Sequence, residues 1–112
     1  MSKKILYVQK NFQNIELAKE SLEMALAAAS LDLEIGLFFM DDGVFQLLKN
    51  QQDDSLSAML KTLPLYDIHA VYAAEESLRE RNLKLDDLSI SVTTVSPHQI
   101  GETLNKYNIV FS

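Results

Sequence analysis

The chain has no cysteine, only two prolines and only three glycines among its 112 residues. The shortages of cysteine and glycine each remove a class of function. Without cysteine there is no disulfide, no thiolate metal site, no iron–sulfur ligation and no cysteine nucleophile. The glycines, Gly36, Gly43 and Gly101, lie far apart. A phosphate cradle needs bare backbone N–H groups, and the segment Gln9-Lys10-Asn11-Phe12-Gln13-Asn14, which follows the first strand-like run, contains no glycine. This argues against a P-loop, a dinucleotide fingerprint and a flavin phosphate loop. No apolar run approaches the ~18 residues of a membrane span. The opening Met1 to Val8 is a charged lead into an apolar run too brief for a secretory signal, with no small-residue cleavage site. A cytoplasmic location is expected.

What is present is the balance of a globular protein: 47% hydrophobic and 23% charged residues. Size scaling gives a folded surface of about 6,200 Å² against roughly 18,000 Å² unfolded, enough burial for a core without metals or staples. One domain spanning residues 1–112 follows from the length. The formal charge of −6 argues against unaided binding to nucleic acid or to an anionic membrane.

Strand-like and helix-like segments alternate along the chain. Ile5 to Val8 reads as a first strand. Asn14 can cap a helix whose apolar face carries Leu17, Leu22, Ala25, Leu26 and Ala29. Leu33 to Met40 is a nearly continuous apolar run, as expected of a strand covered on both faces in a parallel sheet. Asp41-Asp42-Gly43 is a turn signal, Val44 to Leu48 a short helix, and Asn50 to Ser57 a polar loop. Ser55 is placed to cap a helix over Leu56 to Leu63 that Pro64 stops. Ile68 to Ala74 reads as a third strand, followed by a helix around Glu76 to Arg81 that Asn82 ends in a left-handed conformation. Leu88 to Val95 alternates as a fourth strand, Ser96-Pro97 opens a helix through Lys106, and Tyr107 to Phe111 is a fifth strand. The alternation predicts an α/β fold with a mostly parallel five-stranded sheet and helices on both faces.

Chemistry-bearing clusters are sparse. Asp41 and Asp42 at a strand end could hold a divalent cation, but a solvated turn supporting the next helix accounts for them better. His69 and His98 have neither a nucleophile nor clustered acids beside them, so strand-end and cap roles are favoured over metal binding or catalysis. Arg79 and Arg81 could bind an anion, yet Glu75, Glu76 and Glu80 lie within ion-pair reach and favour a solvated charged helix. Val44-Phe45-Gln46-Leu47-Leu48 is too short to bury much by itself, so Phe45 and Leu48 either complete the core or dock on a partner. Leu65-Tyr66-Asp67 poses the same choice.

Three blocks, Phe38-Phe39-Met40-Asp41-Asp42-Gly43-Val44-Phe45-Gln46-Leu47-Leu48, Leu65-Tyr66-Asp67-Ile68, and Ser77-Leu78-Arg79-Glu80-Arg81-Asn82-Leu83, resemble the TusC/DsrF family of sulfur-relay subunits in order and spacing. The likeness runs from the first strand to the last. Asn82 stands where that family usually has glycine, and asparagine still meets the demand for a left-handed residue.

The resemblance implies a DsrE-like, flavodoxin-like domain that is a non-catalytic, cofactor-free subunit. It implies assembly with TusB-like and TusD-like chains into a hetero-hexamer holding two copies of each. In such a relay the TusD-type subunit carries the persulfide cysteine, receives sulfur from a TusA-like carrier and passes it to a TusE-like one. The product is 2-thiouridine at the tRNA wobble position, and this subunit need not touch nucleic acid. In cysteine-bearing relatives the reactive residue follows the third strand, where this chain has Ala73 or Ala74. A methyl group cannot accept sulfane sulfur. The residues expected to contact sister subunits are Asp42, Gly43, Val44, Phe45, Gln46, Leu65, Tyr66, Asp67 and Arg79. Two alternatives stand beside this reading: a DsrF-like subunit of a sulfur-oxidation complex, and a homo-oligomeric protein holding a small anion near Asp42 and Arg79.

Overall fold

The fold is described from a computed structural model, over residues 3–49 and 51–112. The Met1-Ser2 lead and Asn50, the first residue of the expected polar loop, lie outside the described residues. Five strands form one parallel sheet: β1 (Lys4–Gln9), β2 (Glu34–Phe39), β3 (Ala70–Ala74), β4 (Thr93–Val95) and β5 (Ile109–Phe111), in the order β4-β3-β2-β1-β5. The helices are α1 (Ile15–Ala29), α2 (Ser55–Leu60), α3 (Glu75–Glu80) and α4 (Ile100–Leu104), with 3₁₀ segments at Asp41–Leu47, Leu63–Tyr66, Leu85–Asp87 and Pro97–Gln99. The radius of gyration, 13.1 Å, is that of one domain of this length.

Strand β2 lies at the centre, and Ile35 to Phe39 are all buried, as a strand covered on both faces requires. The register places Ile5, Ile35, Leu37, Phe39, Val71 and Ala73 on one face. There they join Ala18, Leu22 and Ala25 of α1 and Leu56 and Leu60 of α2 in the larger core. The opposite face carries a smaller core of Leu6, Val8, Phe38, Ala74 and Val95, covered by Ile100 and Leu104 of α4 and by Tyr107. Helix α1 begins as its sequence indicates, with the Asn14 carboxamide oxygen accepting a hydrogen bond from the Leu17 N–H at 2.9 Å. Asn82 ends α3 with φ 56°, the left-handed conformation expected of it.

Other boundaries differ from expectation. The fourth strand is Thr93–Val95 rather than Leu88 to Val95. Leu88 instead bridges antiparallel to Leu48, and the Ser89 N–H donates to the Leu47 carbonyl at 2.7 Å. Alternation of apolar and polar side chains reports one-sided burial, which an extended segment outside the sheet shares with a strand. Ser55 is the first residue of α2 rather than its cap: its N–H donates to the Asp53 carboxylate at 2.9 Å, while Asp54 takes the cap position. The Ser55 hydroxyl, and after it that backbone N–H, hold the Asp53 carboxyl below its usual range. The helix expected through Leu63 stops at Leu60, and a separate 3₁₀ turn carries Pro64 near its start. The last helix is likewise two short pieces, Pro97–Gln99 and Ile100–Leu104.

Tyr107 crosses the smaller core and sets a steric demand. Its ring packs over Gly36, where an added Cβ would overlap the phenol oxygen and lie 2.8 Å from Cζ. The hydroxyls of Tyr107 and Tyr72 are 3.3 Å apart. Burial, then the bond to Tyr72, keeps the Tyr107 phenol protonated well beyond the usual tyrosine range. Gly101, in contrast, has nothing within 4 Å of an added Cβ and lies in α4. Gly36→Ala should therefore destabilise by about 1–3 kcal/mol through overpacking. Gly101→Ala should stabilise by up to about 1 kcal/mol through helix propensity. Urea unfolding midpoints of the two variants check both signs.

Candidate functional site

In open α/β sheets, ligands bind beyond the carboxyl ends of the strands. Here the chain leaving β2 closes part of that edge. The 3₁₀ segment Asp41–Leu47 turns back over the ends of β1 and β3, starting from Asp41 in the left-handed region at φ 51°. Gly43 has no positive φ and meets a different requirement. A Cβ there would overlap the Gln9 carbonyl oxygen, with its carbon only 2.6 Å away. Only glycine permits this approach of backbone to backbone.

Side chains complete the anchorage. Gln46 is 4% exposed, and its Nε2 donates to the Asn11 carbonyl at 2.9 Å, tying the segment to the loop after β1. The Asp41 N–H donates to Ser77 Oγ at 2.8 Å, which joins the segment to α3. Val44 and Leu47 are fully buried and belong to the larger core.

Arg81 forms the outer clasp. Its Nε donates to Asp42 Oδ1 at 3.1 Å, and its Nη1 donates to the Ser77 carbonyl at 3.2 Å. Its guanidinium lies 5.9 Å from the ring centroid of Phe45. The planar cation thus covers a half-buried aromatic ring while pairing with a carboxylate, a combination lysine cannot reproduce. Arg79 faces elsewhere: its Nη2 pairs with Glu76 at 2.7 Å, both side chains being largely exposed.

The blocks that stood out in the sequence therefore divide. Asp42, Gly43, Val44, Phe45 and Gln46 are brought together with Ser77 and Arg81, but Gly43, Val44 and Gln46 turn inward, leaving Asp42 and part of Phe45 as the outer surface. Arg79 does not join them. Leu65, Tyr66 and Asp67 form a separate knuckle, with Leu65 84% exposed and Asp67 left-handed at φ 61°. Asp67 approaches the exposed His69 at 3.6 Å. Ser77 and Arg81 are absent from the expected contact residues, although both lie in the third block and Arg81 is weighed there as an anion ligand. The signal available was the spacing of Ser77 and Arg81, four apart on one helical face.

The arrangement offers little chemistry of its own. Ala73 and Ala74 occupy the end of β3 and are buried. Among the described residues no three histidine or acidic side chains gather as a metal site. The two arginines are matched by Asp42, Glu76 and Glu80, so the expected solvated charged helix accounts for them. No helix in the described residues is long and apolar enough to cross a membrane.

Three consequences are measurable. Arg81→Ala should lower stability by about 1 kcal/mol, since the pair with Asp42 is solvent-screened and the stacked stem contributes packing. Arg79→Ala should change it by less than about 0.5 kcal/mol. Gly43→Ala should cost more than either, about 3 kcal/mol or more, because backbone rather than a side chain must give way. Equilibrium urea unfolding of the three variants ranks them.

The likenesses to known proteins agree with this geometry. Residues 3–112 match the DsrE/DsrF-like family. The Protein TusC homolog of Pseudomonas aeruginosa is 35% identical over 100 residues, covering 85% of this chain and 84% of that protein. Among solved structures, the ychN protein from E. coli superposes with a TM-score of 0.77 at 20% identity, covering 99% of this chain and 98% of the other. A protein of unknown function from Methanobacterium thermoautotrophicum, MTH1491, superposes with a TM-score of 0.69 at 17% identity over all of both chains. A parallel five-stranded sheet, the DGVFQLL segment folded over its edge and a match across 3–112 lead to one conclusion: the chain belongs to the DsrE/DsrF-like family.

Proposed function

We propose that this chain is a non-catalytic subunit of a sulfur-relay complex that passes persulfide sulfur towards 2-thiouridine at the tRNA wobble position. The observation that carries the reading is the likeness to the Pseudomonas aeruginosa TusC homolog over most of the chain. The end of β3 supports it physically. In cysteine-bearing relatives this place supplies the sulfur acceptor, and here it holds the methyl groups of Ala73 and Ala74. Sulfur therefore rides on a sister subunit, TusD-like, with a TusB-like chain completing the assembly. TusA-like and TusE-like carriers act on either side of it. The formal charge of −6 suits a subunit that leaves tRNA to others.

The contacts to sister subunits are assigned to the outer surface of the clasp, Asp42 and Phe45, and to the knuckle Leu65-Tyr66-Asp67. An exposed leucine beside a half-exposed tyrosine is the composition of an interface core rather than of a solvated loop. Gly43, Val44 and Gln46 act from beneath by holding Phe45 in place, and Arg79 lies at the margin.

Phe45→Asp, co-expressed with the TusB-like and TusD-like chains of the same source, tests this assignment. The variant should keep its far-ultraviolet circular dichroism, since Phe45 is only half buried. Assembly measured by native mass spectrometry should weaken at least about tenfold. Unchanged assembly would remove the clasp from the interface. Failure of the unaltered chain to join any such complex, or a homo-oligomer in its place, would overturn the relay reading. Loss of wobble-uridine thiolation on deleting the gene would separate tRNA modification from sulfur oxidation.

A further inference from the structure

At the sheet edge opposite β4, the strand order reverses: α1 leads from β1 to β2, whereas α4 leads from β4 across to β5 on the other side of β1. Crevices open beyond the strand ends at such reversals. Here it is a groove of about 430 Å³. Tyr7 and Phe111, stacked at 5.4 Å, form one side and Leu17 and Met24 of α1 the other. Leu17, Met24 and Phe111 remain 47%, 63% and 50% exposed.

The spacing within α1 explains this exposure. Ala18, Leu22 and Ala25 face the sheet. Leu17, Ser21 and Met24 repeat the same intervals one residue earlier, so they form a second stripe roughly 100° around the helix. A helix with one core to cover needs one apolar stripe, and this one adds Leu17 and Met24 on a second, with Ser21 between them. The second runs beside β5, whose outer edge has no strand paired to it among the described residues. An apolar stripe beside an open strand edge is a surface built to be covered.

We propose that this groove receives a second, different polypeptide, which inserts an apolar or aromatic side chain between α1 and β5 and lays Lys or Arg side chains along α1. Charge selects the occupant. Glu20 lies one turn from both Leu17 and Met24, and Glu16 and Glu23 extend the acidic rim. Two cations stand near: Lys19, whose amine is 4.0 Å from Glu16, and Lys10, which lines the groove beyond the end of β1, so the acidic rim is that of α1 alone. A second copy of this chain, also at −6, would set acid against acid, whereas a basic-rimmed partner is drawn in. The groove meets the clasp segment at Gln46 but not at its outer surface of Asp42 and Phe45, and it is separate from the knuckle; the choice of partner for its test rests on the relay reading.

The test uses the complex with the TusB-like and TusD-like chains, and hydroxyl-radical oxidation of Met24 followed by peptide mapping. Met24 should oxidise at least about fivefold more slowly in the complex than in the isolated chain, because covering the thioether removes its access to oxidant. Met24→Glu should weaken assembly at least about tenfold with unchanged circular dichroism. Glu20→Lys should weaken it about threefold at low salt, with the difference lost in 1 M salt. A complex that forms with Met24 oxidised at the free rate and Met24→Glu assembling normally would overturn this proposal and leave the relay reading standing. Strengthening by Glu20→Lys would overturn the basic-rimmed occupant, and a homodimer dissolved by Met24→Glu would identify a second copy instead. Absence of any hetero-complex would overturn both the relay reading and this use of the groove.

Discussion

The structure depends on one close approach, that of Gly43 to the Gln9 carbonyl. Because no Cβ intervenes, the chain leaving β2 can fold back across the ends of its neighbours instead of running out into solvent. Everything on that edge then follows. Val44 and Leu47 reach the core, Gln46 reaches the loop after β1, and the Asp41 N–H reaches Ser77. The ends of β1, β2 and β3 are thereby joined through one seven-residue segment.

That closure bears on function. The position where an open α/β sheet ordinarily receives a ligand is, over β1 to β3, occupied by the protein's own backbone and sealed by Arg81 over Phe45. The end of β3 offers methyl groups. What the edge presents outward is a shaped surface, an aromatic ring under a guanidinium beside a carboxylate. On the relay reading proposed for the chain, this surface is a contact for another protein. The apolar side chains left exposed, at the knuckle and along the second stripe of α1, agree with a chain that completes its burial in an assembly.

Electrostatics adds a direction. The paired arginines of α3 leave little free positive charge at the clasp, and α1 is acidic on its outer side. On the proposal made for the α1 groove, this charge steers the chain towards basic partners and away from itself.

Much of this was legible in the residues themselves. Periodicity alone indicates α1, its asparagine cap and the central apolar strand β2, because helix and strand burial have fixed periods and capping is local. Asn82 as a left-handed terminator is equally local. The absence of cysteine excludes a cysteine persulfide on these residues from the sequence alone. The family likeness also rests on sequence, through three separated blocks. Tertiary structure alone decided the rest. Whether Leu88 to Val92 pairs in the sheet depends on which neighbour offers an edge, and the neighbour proved to be Leu48 rather than β3. Which arginine faces the DGVFQLL segment depends on the rotation of α3 against it, which made Arg81 rather than Arg79 the clasp. Gly43 reads as a flexible turn residue in one dimension and serves as a contact point in three. Its demand comes from Gln9, 34 positions earlier in the chain, and spacing along a sequence carries no information about such an approach.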